Sequence, residues 1–87
     1  MAEIKVTFHN ESELRVQAQI FAGRTLIDTC VLNPGEIHVL SAEPLHYDIF
    51  LKNGTTGWEI ARKLDSEFTT VTLRHEKGRY VIVGSRE

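Results

Sequence analysis

A single cysteine, Cys30, has no partner for an internal disulfide, so this 87-residue chain must hold its core by burial and hydrogen bonding alone. Proline occurs only at Pro34 and Pro44, which excludes a proline-rich extended segment. No run of lysines and arginines is present, and the formal net charge is −2. Nothing therefore tracks a phosphate backbone, and nucleic acid is not an implied partner. The longest uninterrupted apolar run, Tyr80 to Val83, is far too short to span a bilayer, so no membrane partner is expected either. The opening Met1-Ala2-Glu3-Ile4-Lys5 lacks the apolar stretch of a secretory signal, and with one unpaired cysteine the expected location is cytoplasmic. No glycine-rich loop leads into a helix. The histidines His9, His38, His46 and His75 form no pair at metal-ligand spacing. Neither a metal nor a cofactor is implied.

What the chain does have is period-two alternation broken at regular intervals by turn residues. The expected strands run from about Ile4 to Phe8, Leu14 to Ala22, Thr25 to Leu32, Ile37 to Leu40, Leu45 to Lys52, Thr55 to Leu64, Phe68 to His75 and Arg79 to Gly84. Between them lie His9-Asn10-Glu11-Ser12, Gly23-Arg24, Asn33-Pro34-Gly35-Glu36, Ser41-Ala42-Glu43-Pro44, Asn53-Gly54, Asp65-Ser66-Glu67 and Glu76-Lys77-Gly78. Gly23 suits the first position of a type II′ hairpin. Pro34-Gly35 suits the centre of a type II turn. Eight short strands in one domain, residues 1–87, predict an antiparallel β-sandwich, with an open β-barrel as the alternative.

Two hairpins suggest a register. A tight turn at Gly23-Arg24 sets Ile27 opposite Ile20, Val31 opposite Val16 and Cys30 opposite Gln17. A two-residue turn at Asn53-Gly54 sets Trp58 opposite Ile49 and Ile60 opposite Tyr47, which would bury Trp58. It would also bring Glu59 opposite Asp48. One segment is ambiguous. Thr56-Gly57-Trp58-Glu59 has the spacing of a helix capping box, and Trp58, Ala61 and Leu64 recur every three residues. The hairpin signal at Asn53-Gly54 favours a strand.

Candidate chemistry is sparse. Cys30 lacks a legible base or electropositive setting, and Ser41 and Ser66 lack a nucleophile-elbow context. Phe21, Leu26 and Phe50 fall on faces that alternation otherwise makes polar, and such residues can form a patch for a partner.

Phe8-x-Asn10-x-Ser12, the alternating second strand, Gly23, Leu32-x-Pro34-Gly35, then His46, Phe50 and Gly54 together resemble the β-domain of the von Hippel–Lindau protein and its bacterial relatives. The likeness spans Phe8 to Leu64. It implies a sandwich and a peptide-binding strand around His46. In that family a histidine and an aromatic two residues later help to form a groove for a hydroxyproline-bearing peptide. Here His46 matches the histidine, but Asp48 stands at the aromatic position.

The expected function is a small, non-catalytic module that binds a protein or peptide through Phe21, Leu26, His46, Asp48 and Phe50, with a homodimer over the same hairpins as one form of that binding. One alternative is a small-molecule or carbohydrate module using Tyr47 or Trp58 as a stacking platform with Asp48 and Glu59 as acceptors. Another is a hydrolytic enzyme using Asp48, Glu59 or His46.

Overall fold

The computed structural model describes residues 4–42 and 46–86. Eight strands account for the order of the chain: β1 (Ile4–Glu11), β2 (Val16–Ala22), β3 (Thr25–Leu32), β4 (Ile37–Ala42), β5 (Tyr47–Asn53), β6 (Glu59–Ser66), β7 (Thr70–Glu76) and β8 (Arg79–Ser85). They form two four-stranded sheets, ordered β4-β1-β7-β8 and β3-β2-β5-β6, and the sheets pack face to face as a sandwich. Among the described residues the strands form no closed barrel. Among the described residues there is no helix, and so none long and apolar enough to cross a membrane. Ser41 and Ala42, expected in the break after Leu40, instead continue β4 by pairing with Lys5 and Ile4, while the rest of that break, Glu43-Pro44, and the expected strand start at Leu45 lie outside the described residues.

Alternation builds the core. Val6, Phe8, Leu40, Val71 and Leu73 from one sheet meet Val16, Ala18, Ile20, Leu32, Ile49 and Leu51 from the other, all buried. Tyr47 is buried too, and its hydroxyl donates to the Phe68 carbonyl, so the polar tip of this core aromatic is satisfied. One strand pair is parallel: β1 runs beside β7 with Phe8 level with Val71. Alternation within a strand is blind to direction, and the chain completes the whole of the opposite sheet before β7 returns, so no local turn announces this pair.

β1 extends past Phe8 to Glu11 because Asn10 is not a turn residue. It is buried, with only 1% of its surface exposed. Its Nδ2 donates to the Leu14 carbonyl at 2.7 Å and the Leu32 carbonyl at 3.1 Å. Its Oδ1 accepts from the Ser12 amide at 2.9 Å and the Ser12 hydroxyl at 2.6 Å. Its backbone closes onto the next turn: Asn10 N–H donates to the Glu36 carbonyl, and the Gly35 N–H donates to the Asn10 carbonyl. That turn has the expected type II form, with Glu36 N–H donating to the Asn33 carbonyl at 3.0 Å and Gly35 at φ +84°.

Both expected hairpin registers change, each for a local reason. In β2–β3, Gly23 takes φ +62° and Phe21 faces Leu26 as a tight turn requires. A bulge between Ile20 and Phe21 then inserts Ile27 as an extra residue. Ile20 therefore faces Asp28 rather than Ile27, Val16 faces Leu32 rather than Val31, and Cys30 faces Ala18 rather than Gln17.

In β5–β6 the shift is larger. Asn53-Gly54 does not form a two-residue turn. Asn53 Oδ1 accepts from the Thr55 and Thr56 amides, and Asn53 N–H donates to the Trp58 carbonyl at 2.7 Å, leaving a four-residue loop. Gly57, at φ +81°, supplies the left-handed residue. Gly54 is instead constrained by packing, since a β-carbon there would lie 3.1 Å from Arg15 Cγ. β6 thus starts at Glu59 rather than Thr55, Ile49 faces Lys63, and Tyr47 faces Ser66. Trp58, expected in the core, is 77% exposed.

Asn10→Ala should lower stability by about 2–4 kcal/mol, because two carbonyls lose their buried donor; a urea titration monitored by circular dichroism measures it. Trp58→Ser should change the stability measured by urea titration by less than about 0.5 kcal/mol, as for other surface positions, and native Trp58 fluorescence should be red-shifted and open to iodide quenching.

Candidate functional site

The outer face of the β3-β2-β5-β6 sheet collects the residues that alternation singles out. Asp48 and Phe50 lie two apart on β5 and share that face, and exposed His46 directly precedes the strand. In the ladder, Asp48 faces Phe21 and Phe21 faces Leu26. Phe21 and Phe50, diagonal neighbours on β2 and β5, pack edge to face with ring centroids 5.4 Å apart, a geometry that sets the positive edge of one ring against the negative face of the other. Leu26 extends the apolar row with 44% of its surface exposed.

Polar groups rim this pair. The Arg62 guanidinium lies over the Phe50 ring, 5.5 Å from its centroid, and is held there by a 2.8 Å bond to Glu59. Gln19, Phe21, Arg24, Phe50, Lys52 and Glu59 line an open, shallow hollow of about 410 Å³. Gln19 sits level with Phe50, and its Oε1 is buried without a hydrogen-bond donor among the described residues.

The other expected residues separate. Asp48 does not neighbour Glu59: Lys52 faces Glu59 across the ladder, and Asp48 accepts the Asp65 amide at 2.9 Å. No carboxylate pair for acid–base chemistry forms there. The four-residue slip at the Asn53 loop is the cause. Exposed His46 bonds Asp65 through Nδ1 at 2.9 Å, so Asp65 links His46 to Asp48 at one end of the apolar pair. Asp65 holds φ +53° next to the register shift near Tyr47. Tyr47 is buried and cannot serve as a platform.

Arg62, Gln19 and Asp65 were not legible as site residues. Arg62 reaches Phe50 only in the shifted register, and the left-handed turn at Asp65 carries no glycine. The pairing of Glu59 three residues before Arg62 was the one available signal, and it reads equally well as a helical pair.

A second polar cluster joins the β7–β8 hairpin to the turn after β1. The Tyr80 hydroxyl donates to Glu13 at 2.6 Å, His75 Nδ1 lies 3.0 Å from the same carboxylate, and the His75 and Tyr80 rings stack with centroids 4.2 Å apart. The Tyr80 hydroxyl holds the Glu13 carboxyl below its ordinary range, and the carboxylate raises Tyr80 in return. Each of the remaining histidines also lies beside a carboxylate: His9 by Glu11, His38 by Glu36, His46 by Asp65. Among the described residues, no group of three or more His, Cys, Asp or Glu is placed to hold a metal ion.

Cys30 points toward the core from the edge strand β3. Burial, then the nearby charges of Asp28 and Glu36, push its thiol up to about 11. No family model, no curated protein and no solved structure matches the chain.

A neutral alkylating reagent near pH 8 should modify Cys30 at least about a hundredfold more slowly than a free thiol, on thiolate fraction alone. The rate should keep rising with pH toward about 11. A plateau reached below about pH 9 would show that the thiol is activated instead.

Proposed function

We propose that this protein is a non-catalytic binding module that docks a protein or peptide on the outer face of the β3-β2-β5-β6 sheet. The observation that carries the reading is the edge-to-face pair of Phe21 and Phe50 on a face whose other residues are mostly polar. Aromatic anchors ringed by polar groups are the usual energetic centre of such interfaces. Leu26 lengthens the apolar strip, while Arg62, Lys52 and Glu59 on one side and Asp48 with His46 on the other supply a charged rim. Gln19, level with Phe50, adds a polar side chain to the lining of the hollow. The resemblance to the von Hippel–Lindau β-domain supports a peptide-binding β5. Asp48 at the family's aromatic position speaks against carrying over hydroxyproline specificity.

Exposed Trp58, with Glu59 beside it, supports one second reading, a carbohydrate stacked on the indole. The two readings separate cleanly. Peptides selected from a displayed library on the native protein should shift the amides of Phe21, Gln19 and Phe50, and Phe21→Ser or Phe50→Ser should weaken them about 30-fold, as for a central anchor. Ligands that map to Trp58, with Trp58→Ser abolishing binding and Phe50→Ser harmless, would overturn the peptide reading.

A further inference from the structure

A sandwich of two open sheets has four edge strands, here β3, β4, β6 and β8. Unpaired edges invite pairing with other chains, and folded proteins usually blunt them with inward charges, lysines or bulges. Three of these edges are blunted. β3 carries the Ile20/Phe21 bulge and the charged Asp28. Asp28 Oδ2 accepts the Ser41 amide at 2.9 Å, which takes up one outward amide of β4 where β3 packs alongside it. β6 carries Glu59, Arg62, Lys63 and Asp65 and two register shifts against β5.

β8 has none of these devices. From Tyr80 to Ser85 it holds no charge and no proline, and its ladder with β7 runs without a shift from Glu76↔Arg79 to Thr70↔Ser85. The turn residues Lys77 and Gly78 both have positive φ, +51° and +79°, as in a type I′ hairpin. Its closing pair, Glu76 and Arg79, is hydrogen-bonded, so by alternation Arg79, Val81, Val83 and Ser85 direct their backbone groups to β7. The Ser85 carbonyl does so, accepting Thr69 N–H at 2.9 Å. The backbone N–H and C=O groups of Tyr80, Ile82 and Gly84 therefore point away from the sheet. Below this edge an open groove of about 450 Å³ runs between β8 and β6, lined by Ala61, Lys63, Phe68, Tyr80 and Ile82.

We propose that β8 pairs antiparallel with β8 of a second copy of this chain, about a twofold axis at Ile82. The strand is self-complementary in that register. The outward-facing backbones meet as Ile82 with Ile82 of the copy and Tyr80 with Gly84 of the copy, which satisfies every free group of the edge. Tyr80 lies across from Gly84, the one residue without a side chain. Gly84 is also where the Phe68 ring rests, since a β-carbon there would fall 2.1 Å from it. Charges fit as well: Arg79 faces Ser85 and Arg86 faces Gly78, so no like charges oppose each other. On the outer face Val81 meets Val83 of the copy, covering a valine that is otherwise exposed. The two grooves then face each other beneath one continuous eight-stranded sheet. This association is independent of the Phe21–Phe50 surface.

The test uses the whole chain in sedimentation equilibrium between about 10 and 500 µM, a range that brackets modest homodimer affinities. Wild type should dimerise, and amide exchange at Tyr80, Ile82 and Gly84 should slow as concentration rises. Val81→Lys with Val83→Lys places lysine opposite lysine and should weaken the dimer at least about tenfold. Val81→Lys with Val83→Glu places lysine opposite glutamate and should restore it. A wild type that stays monomeric throughout, or that dimerises with unchanged exchange at those three amides, overturns the proposal. So does a dimer that Phe50→Ser dissociates while the lysine pair leaves it intact.

Discussion

The fold depends on one buried amide. Asn10 uses both donors and its carbonyl oxygen to tie the end of β1 to the turn at Ser12–Leu14 and to the end of β3. Its backbone closes the turn at Asn33–Glu36 that carries the chain from β3 back to β4. The residue therefore sits where the chain first crosses from one sheet to the other and where it first returns. No apolar side chain could replace it, because the carbonyls it satisfies are buried or partly buried and would keep their desolvation cost without a partner. A fully satisfied polar node of this kind defines one packing among many that hydrophobic alternation alone would allow.

Bulges and left-handed residues do the remaining positioning. The extra residue Ile27 turns Asp28 toward β4, so one carboxylate joins two sheet edges. The register shift near Tyr47 and the left-handed Asp65 bring Asp65 against both His46 and Asp48. The same shifted register sets Arg62 over Phe50. Irregularities in the ladder thus decide which polar groups border the aromatic pair. The opposite flank of the molecule is regular. β8 pairs with β7 without a register shift, is uncharged through its centre and unshielded, and its groove is open. The two ends of the chain's chemistry are therefore different in kind: a rimmed aromatic face on one sheet, a bare strand edge on the other.

Much was determined by sequence alone. Period-two alternation placed the eight strands and most of the core, from Val6 and Phe8 to Leu51, because a strand has only two faces and one of them must be dry. Pro34-Gly35 determined its own turn, since the proline ring sets φ at the second position and glycine takes the positive φ of the third without a Cβ clash. The outward position of Phe21, Leu26 and Phe50 followed from the same parity.

Tertiary structure decided pairing. Asn53-Gly54 has the composition of a two-residue turn, yet the Asn53 side chain caps Thr55 and Thr56, Arg15 crowds Gly54, and Gly57 takes the left-handed position instead. That shift exposed Trp58, parted Asp48 from Glu59 and delivered Arg62 to the aromatic face. The parallel contact of β1 with β7, sixty-odd residues apart in the chain, left no local trace either. A strand's own residues specify which side chains face inward. Which strand lies beside it, and at what offset, is set by loop geometry and by partners distant in sequence, whose contacts exist only once the two sheets have closed.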